Sequence, residues 1–213
     1  MRFGVRGWIG LALMMLVGTF ACVPLTSYQR GNRALDRGAY ADAVRLYQEA
    51  LANDPTDPQL RNNLGVAYLR LNQDDRAFGE FQKILAQNPR DAKAHFNLGL
   101  VYYKKRLFDQ EIQEYLAALN LDPDHFQAHL NLGHAYLARG RDADAAHEYE
   151  WILNRNPDQL AAIYNLALLY ADHGRTAEAE ALLKRYLKLE PRPDWTEKAR
   201  RRLQALGTGA IGR

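Results

Sequence analysis

Apolar residues of this chain fall on helical faces that return at a constant interval. Leu64, Tyr68 and Leu71 share one face of a helix because they are three and four residues apart. A small residue accompanies each such face every 34 residues, in the series Gly31, Gly65, Gly99, Gly133 and Ala167. Prolines keep the same interval, at Pro55, Pro89, Pro123, Pro157 and Pro191. Each proline is expected to end a helix, so the pattern predicts helical hairpins stacked as a repeat.

The third unit departs from this pattern at two positions. Turn residues that favour a positive φ recur elsewhere, as Gly38, Asn72, Gly140 and Gly174, but Arg106 stands at this place in the third unit. Glu111 replaces the small residue of the second helix, which is Ala43, Ala77, Ala145 or Ala179 in the other units. A buried carboxylate needs a partner, and we expect Arg106 or Lys105 to supply it. Two interpretations are open: sequence drift with a local salt bridge, or a basic patch for an acidic partner.

Two of the units show the motif most fully, as NNLGVAYLRLNQDDRAFGEFQKILAQNP and LNLGHAYLARGRDADAAHEYEWILNRNP. These segments resemble tetratricopeptide repeats, which carry Leu-Gly, Tyr, Ala, an aromatic residue and a closing Pro at fixed offsets. The resemblance implies an all-α solenoid of five helix-turn-helix repeats, wound into a right-handed superhelix. The five windows are 24–57, 58–91, 92–125, 126–159 and 160–193, within a repeat region of 22–193. Trp195, Ala199 and Leu203 share one face of a further helix, so 194–206 is predicted to cap the array and 207–213 to form a flexible tail.

The segment 1–21 is predicted to be an export signal rather than part of the fold. Arg2 and Arg6 precede an uncharged apolar run of thirteen residues, which is shorter than the about 20 residues that span a bilayer. Cys22 follows that run directly and resembles the lipidated cysteine of bacterial lipoproteins, although Thr19 and Phe20 depart from the usual site. Cleavage by an ordinary signal peptidase and an uncleaved anchor are the alternatives.

Position 23 is Val and not the aspartate that commonly retains such lipoproteins in the inner membrane. The resemblance therefore implies the periplasmic face of the outer membrane, with a soluble periplasmic or an inner-membrane protein as the alternative.

The charge of the chain limits the kind of partner it can bind, and its cysteine content limits what can stabilise the fold. The net charge is +3, from 28 basic and 25 acidic residues, and loss of Arg2 and Arg6 leaves 26 basic residues. This balance argues against a nucleic-acid surface, which needs a concentrated basic footprint. Cys22 is the only cysteine, so no intramolecular disulfide can form and the fold must rest on packing.

One asparagine per unit, placed just before the Leu-Gly or Leu-Ala pair, is the leading candidate for binding. The series is Asn63, Asn97, Asn131 and Asn165. The family's fold implies that it lines a concave groove, where amides can pair with the backbone of an extended peptide. Bonding between neighbouring helices is the alternative. Phe96, Lys93 and His134 are expected beside these amides, which suits a partly apolar partner with some acidic character.

No catalytic motif is present: the sequence lacks a glycine-rich phosphate loop, a nucleophile elbow and an HExxH string. The six histidines show no convincing ligand spacing, so no metal, cofactor or small-molecule substrate is expected. The chain resembles small tetratricopeptide lipoproteins of Gram-negative bacteria, which include pilotins and adaptors of envelope proteases. We therefore expect a non-catalytic scaffold that binds a peptide or protein partner. A structural subunit of a larger machine and, more remotely, a metal-dependent enzyme are the rival hypotheses.

Overall fold

A computed structural model describes residues 25–208, and within that range the chain forms eleven helices and no strand. The predicted signal segment 1–21, Cys22 and most of the predicted tail lie outside the described residues. The helices are α1 (Ser27–Asp36), α2 (Tyr40–Asn53), α3 (Pro58–Arg70), α4 (Asp74–Gln87), α5 (Ala92–Lys104), α6 (Phe108–Leu121), α7 (Phe126–Ala138), α8 (Asp142–Arg155), α9 (Leu160–Asp172), α10 (Thr176–Leu189) and α11 (Pro193–Gly207).

Ten of these helices form five antiparallel pairs joined by tight turns, and α11 follows as the last helix. Every turn contains one residue in the left-handed conformation, namely Gly38, Asn72, Arg106, Gly140 and Gly174. The expected positive φ of the glycines and Asn72 is confirmed. Arg106 adopts the same conformation with φ 59°, which is unfavourable for a residue with a Cβ atom.

Prolines and polar caps set the helix ends. The second helix of every pair ends two residues before its proline, as α2 does at Asn53 before Pro55. The next first helix then begins at a polar cap: Asp57 accepts hydrogen bonds from the backbone N–H groups of Gln59 and Leu60 at 2.7 and 3.1 Å. These local signals produce the same hairpin in each unit.

Each first helix approaches its second helix through a glycine that faces an aromatic ring. A Cβ atom on Gly31, Gly65, Gly99 or Gly133 would lie 2.3–2.7 Å from the ring of the residue sixteen positions later. Those rings belong to Tyr47, Phe81, Tyr115 and Tyr149. The fifth unit has Ala167 opposite Leu183, so a methyl group appears where the aromatic ring is absent.

The buried apolar side chains form two clusters along the stack. One runs from α1 to α5 and the other from α6 to α11, and they meet in the third unit. α11 extends the second cluster, because Ala199 and Leu206 are buried together with Leu183 and Tyr186 of α10. The predicted all-α solenoid of five helical hairpins with a C-terminal helix is confirmed. Of the helices described above, none is long and apolar enough to cross a membrane.

Candidate functional site

The first helices of three successive units line a groove of about 610 Å³. Its walls are Val66, Leu69 and Arg70 of α3, Phe96, Asn97, Leu100, Tyr103 and Lys104 of α5, and Gln127 and Asn131 of α7. Apolar and aromatic side chains share this surface with amides and two cations. Tyr103 is the most exposed large apolar residue of those described, at 57%. This composition suits the side chains and backbone of a protein segment.

The predicted site residues divide between the groove and other places. Phe96, Asn97 and Asn131 line the groove, and His134 lies in a smaller pocket that shares Asn131 with it. Asn63 and Asn165 do not line this groove. Lys93 is exposed near the start of α5 and also lies outside its walls.

The four asparagine amides bond to other side chains of the protein. Asn63 Nδ2 donates to Asn32 Oδ1 at 3.1 Å, and Asn97 Nδ2 donates to Asn62 Oδ1 at 2.7 Å. Both bonds join one unit to the preceding one, which is the alternative role considered from the sequence. Asn97 is also only 5% exposed. Pairing of these asparagines with a bound peptide therefore stays a prediction, and it concerns the donor hydrogens and acceptor lone pairs that the internal bonds leave unused.

The later two asparagines have similar internal bonds. Asn131 Nδ2 donates to Tyr115 Oη at 3.4 Å, while its Oδ1 accepts a bond from Gln127 Nε2 at 2.9 Å. Asn165 Nδ2 lies 2.7 Å from His134 Nε2. An amide nitrogen can only donate, so the imidazole Nε2 is the acceptor.

One of the two groove cations is neutralised within the protein. Lys104 Nζ donates to the Leu69 carbonyl oxygen and to Asn72 Oδ1, at 2.9 and 2.7 Å, and lies 3.1 Å from Asp74 Oδ1. It thereby ties α5 to the turn of the second unit. Arg70 makes no ion pair with any residue between 25 and 208. The positive charge available to a partner in the groove is therefore chiefly that of Arg70.

A pocket of about 160 Å³ opens beside the groove where α5, α6 and α7 meet. Leu100, Tyr103, Glu111, Tyr115, Asn131 and His134 line it. Glu111 is 1% exposed, and its Oε2 has no hydrogen-bond partner among the described residues. Burial raises the pKa of this carboxyl group to about 7.

The expected ion pair of Glu111 with Lys105 or Arg106 is wrong. Lys105 Nζ lies 2.5 Å from Asp75 Oδ1 of the preceding unit. Arg106 occupies the left-handed turn position and is exposed to solvent. Both cations thus stay at the surface, where hydration of the charge is retained, while Glu111 points into the three-helix junction.

His134 does not compensate the charge of Glu111. Desolvation in the pocket lowers the pKa of this imidazole, which favours its neutral form. Together with the acceptor role of Nε2 toward Asn165, this leaves a neutral ring at the pocket wall. The carboxylate is consequently the only charged group that lines the pocket.

Two histidines form hydrogen bonds to a glutamate and to a proline carbonyl oxygen of the protein. His95 Nδ1 lies 2.7 Å from Glu114 Oε2, and its Nε2 lies 3.1 Å from the Pro89 carbonyl oxygen. His129 repeats this arrangement with Glu148 and Pro123, at 2.5 and 3.0 Å. Between residues 25 and 208, no group of three or more His, Cys, Asp or Glu side chains is placed to hold a metal ion.

The second unit makes the same connection with an arginine. Arg61 binds Glu80 Oε2 at 2.9 Å and donates to the Pro55 carbonyl oxygen. We call these three arrangements the cation clips; their members are Arg61–Glu80, His95–Glu114 and His129–Glu148. The clips were not predicted from the sequence, although a cation-capable residue and a glutamate keep the repeat interval in all three units.

Tyr103 was likewise not predicted to be a groove residue. The equivalent positions hold Leu69, Leu137 and Ala171, so the departure from the repeat was the available signal. The third unit differs from the others at Tyr103 and Glu111, and both residues lie in the same pocket.

A solenoid of helical hairpins with a groove along its first helices defines a helical-repeat interaction protein. The chain belongs to the tetratricopeptide repeat family: the family model matches residues 28–89 and 130–194, and a second model, described as TPR repeat, matches 108–140. Such repeats are protein-binding modules, so the chain is a protein-interaction scaffold by class.

Solved structures show the same fold. MamA, known from its crystal structure, has 23% sequence identity to this chain and a TM-score of 0.67. The match covers 74% of this chain and 92% of that one. TTC0263, a thermophilic TPR protein in Thermus thermophilus, is 23% identical with a TM-score of 0.62, over 85% of this chain and 97% of that one. No curated protein sequence matches the chain significantly.

Proposed function

We propose that this protein is an exported scaffold that binds an extended segment of a partner protein in the groove of α3, α5 and α7. The observation that carries the proposal is the groove itself, where Phe96, Leu100 and Tyr103 lie beside the amides of Gln127 and Asn131. Apolar side chains there provide burial for a partner, and amides provide donors and acceptors for its backbone.

We further propose that Cys22 carries the lipid and that the protein acts at the periplasmic face of the outer membrane. The apolar run before the cysteine supports export, and the lipoprotein-like position of Cys22 supports lipidation. A component of an envelope assembly, such as a pilus or secretion apparatus, is the proposed partner. The alternative role is that of an adaptor for an envelope protease.

Site-specific photo-crosslinking in envelope fractions tests the groove. Gln127 is exposed on the groove wall, and Asn120 is exposed on α6 outside it, so a photo-reactive residue at each position forms a matched pair. We expect one discrete adduct from position 127 and none from 120. Equal adducts from both positions, or none from 127, would remove the groove as the binding site.

Metabolic labelling with a radioactive fatty acid tests the anchor independently. We expect label and membrane sedimentation in the native chain and loss of both in Cys22→Ala. If neither protein carries the label and Cys22→Ala sediments as the native chain does, Cys22 is not lipidated. The segment before it is then an ordinary signal, either cleaved or uncleaved.

A further inference from the structure

Glu111 stands where every other unit has a fully buried alanine. Ala43, Ala77, Ala145 and Ala179 are all 0% exposed, and Glu111 is 1% exposed at the equivalent place. Burial of a carboxylate without a partner is unfavourable, since desolvation of the charge is not repaid by a counter-ion. The third unit therefore holds a charged group that its own packing does not require.

The cations closest along the chain do not serve Glu111. Lys104 pairs with Asp74, Lys105 pairs with Asp75, and Arg106 is exposed at the left-handed turn. Desolvation by burial is the cause of the raised pKa of Glu111, with no opposing contribution from a positive charge. The described part of the protein thus leaves this carboxylate without an ionic partner.

The pocket that Glu111 lines adjoins the groove. Leu100, Tyr103 and Asn131 line both the groove and the Glu111 pocket, so the mouth of the pocket opens onto the path of a bound segment. The pocket volume of about 160 Å³ is close to that of an engineered cavity of about 150 Å³ that admits benzene. It therefore has room for the planar end of one long side chain.

We propose that the pocket receives an arginine side chain from the segment bound in the groove, with Glu111 as its counter-ion. This inference rests on the proposed function of the groove. Arginine fits better than lysine because its planar guanidinium pairs with a carboxylate through two hydrogen bonds and is more weakly hydrated. The ring of Tyr103, which is 57% exposed, adds aromatic surface on which a guanidinium stacks.

The remaining pocket groups are compatible with a cation. The titratable groups that line the pocket are Tyr103 of α5, Glu111 and Tyr115 of α6, and His134 of α7. His134 is held neutral and does not repel a positive charge, while Asn131 offers an amide oxygen at the wall. A metal ion is the less suitable guest, because Glu111 is the only carboxylate in the lining.

N-acetylarginine methylamide is the probe, and the ¹³C resonance of the Glu111 carboxyl group in the full chain reports its binding. We expect saturable shifts and a lower midpoint of the Glu111 titration with this probe. The citrulline analogue, which has the same shape without the charge, is expected to produce neither effect. Equal shifts with citrulline, or shifts with Mg²⁺ or Zn²⁺ but not with the arginine probe, would overturn the proposal.

The same pocket is then tested with the segment identified by crosslinking at position 127. Glu111→Gln is expected to weaken its binding about 10- to 100-fold, as loss of a charged hydrogen-bonded pair does. Asp109→Asn is the matched control, because it removes one exposed carboxylate from the same helix and should leave affinity unchanged. Glu111→Ala, which introduces the residue found in the other units, is a second variant that lacks the carboxylate and is expected to fold.

The crosslinking, probe and affinity experiments separate the proposal for the groove from the proposal for the arginine pocket. An adduct at position 127 whose segment binds Glu111→Gln as tightly as the native chain refutes the arginine pocket and leaves the groove intact. Absence of any adduct at position 127 refutes the groove, while the arginine probe still reports on the pocket.

Discussion

At the scale of single residues, the glycine of each first helix is required by the ring that faces it. A Cβ atom on Gly133 would lie 2.6 Å from the ring of Tyr149, which is closer than van der Waals contact allows. Gly79 of α4 has no atom within 4 Å of the equivalent position. The two glycines therefore make a matched pair, one constrained by packing and one free of it.

Gly133→Ala is expected to lower the free energy of unfolding by about 1–3 kcal/mol, because the added methyl group overpacks the hairpin. Gly79→Ala should raise it by about 0.5–1 kcal/mol, since alanine loses less backbone entropy in a helix. Adding Tyr149→Leu to Gly133→Ala should restore part of the loss, as Leu183 does opposite Ala167. Urea unfolding measures all three, and equal effects of the two alanines would contradict the packing argument.

Glu111 makes stability depend on pH in an unusual direction. The folded protein raises the pKa of this carboxyl group from 4.5 to about 7, so the folded state binds its proton more tightly than the unfolded state. Where the folded state binds more protons, stability falls as pH rises. The destabilisation by Glu111 thus grows between pH 4.5 and about 7 and is complete above that range.

Glu111→Gln should therefore stabilise the protein more at pH 8 than at pH 5, when both are measured by urea unfolding. The gain at pH 8 is expected to be about 1–3 kcal/mol, because glutamine keeps the shape of the side chain and removes its buried, unpaired charge. Asp109→Asn on the same helix should show no such difference between the two pH values. A constant effect of Glu111→Gln across pH would mean that the carboxylate is compensated within the protein.

At the scale of elements, the cation clips bind the second, third and fourth hairpins to the proline that precedes each of them. The clip residue at the start of the first helix contacts a glutamate of the second helix and a proline carbonyl oxygen. In the fourth unit His129 also stacks on Trp151 at a centroid distance of 3.5 Å. Glu148 is 9% exposed, and His129 Nδ1 is its hydrogen-bond partner.

His129→Leu is expected to destabilise the protein by about 1–3 kcal/mol, because it leaves the buried Glu148 carboxylate without its hydrogen bond. His129→Arg should retain most of the stability, since Arg61 fills the same role in the second unit and arginine also stacks on aromatic rings. Thermal unfolding distinguishes the two variants. Equal loss in both would show that the clip position needs the imidazole itself.

At the scale of the whole molecule, the array is held together by contacts between successive helices. Each helix packs on the next along the chain, and the first helices α1 and α3, and α3 and α5, also touch. Stability in such an array is a sum over units and their interfaces. The two apolar clusters meet in the third unit, so Glu111 and its pocket lie at the junction between them.

The repeat architecture was predictable because its signals are local. The prolines mark where second helices end, and the glycines and Asn72 mark the left-handed turns. Each unit contacts only its neighbours, so one interval in the sequence predicts the whole stack. The expectation that Phe96, Asn97 and Asn131 share one groove came from the resemblance to the family, and all three line it.

The partners of polar side chains could not be predicted in this way. Glu111 was expected to pair with Lys105 or Arg106, which are near in sequence, but the structure directs Lys105 to Asp75. The asparagine amides proved to bond across units, as Asn97 does to Asn62, 35 residues earlier. Such choices depend on the distance and angle between two packed units.

The sequence by itself determined the number of hairpins, their turns and their family, because those properties follow from backbone preferences and apolar spacing repeated unit by unit. Only the tertiary structure decided which side chains meet between units. It brings Glu111, Tyr103 and Asn131 from three helices around one pocket and leaves the carboxylate without a partner. The physical reason is that hydrogen bonds and ion pairs act over about 3–4 Å, a range that only the packed helices define.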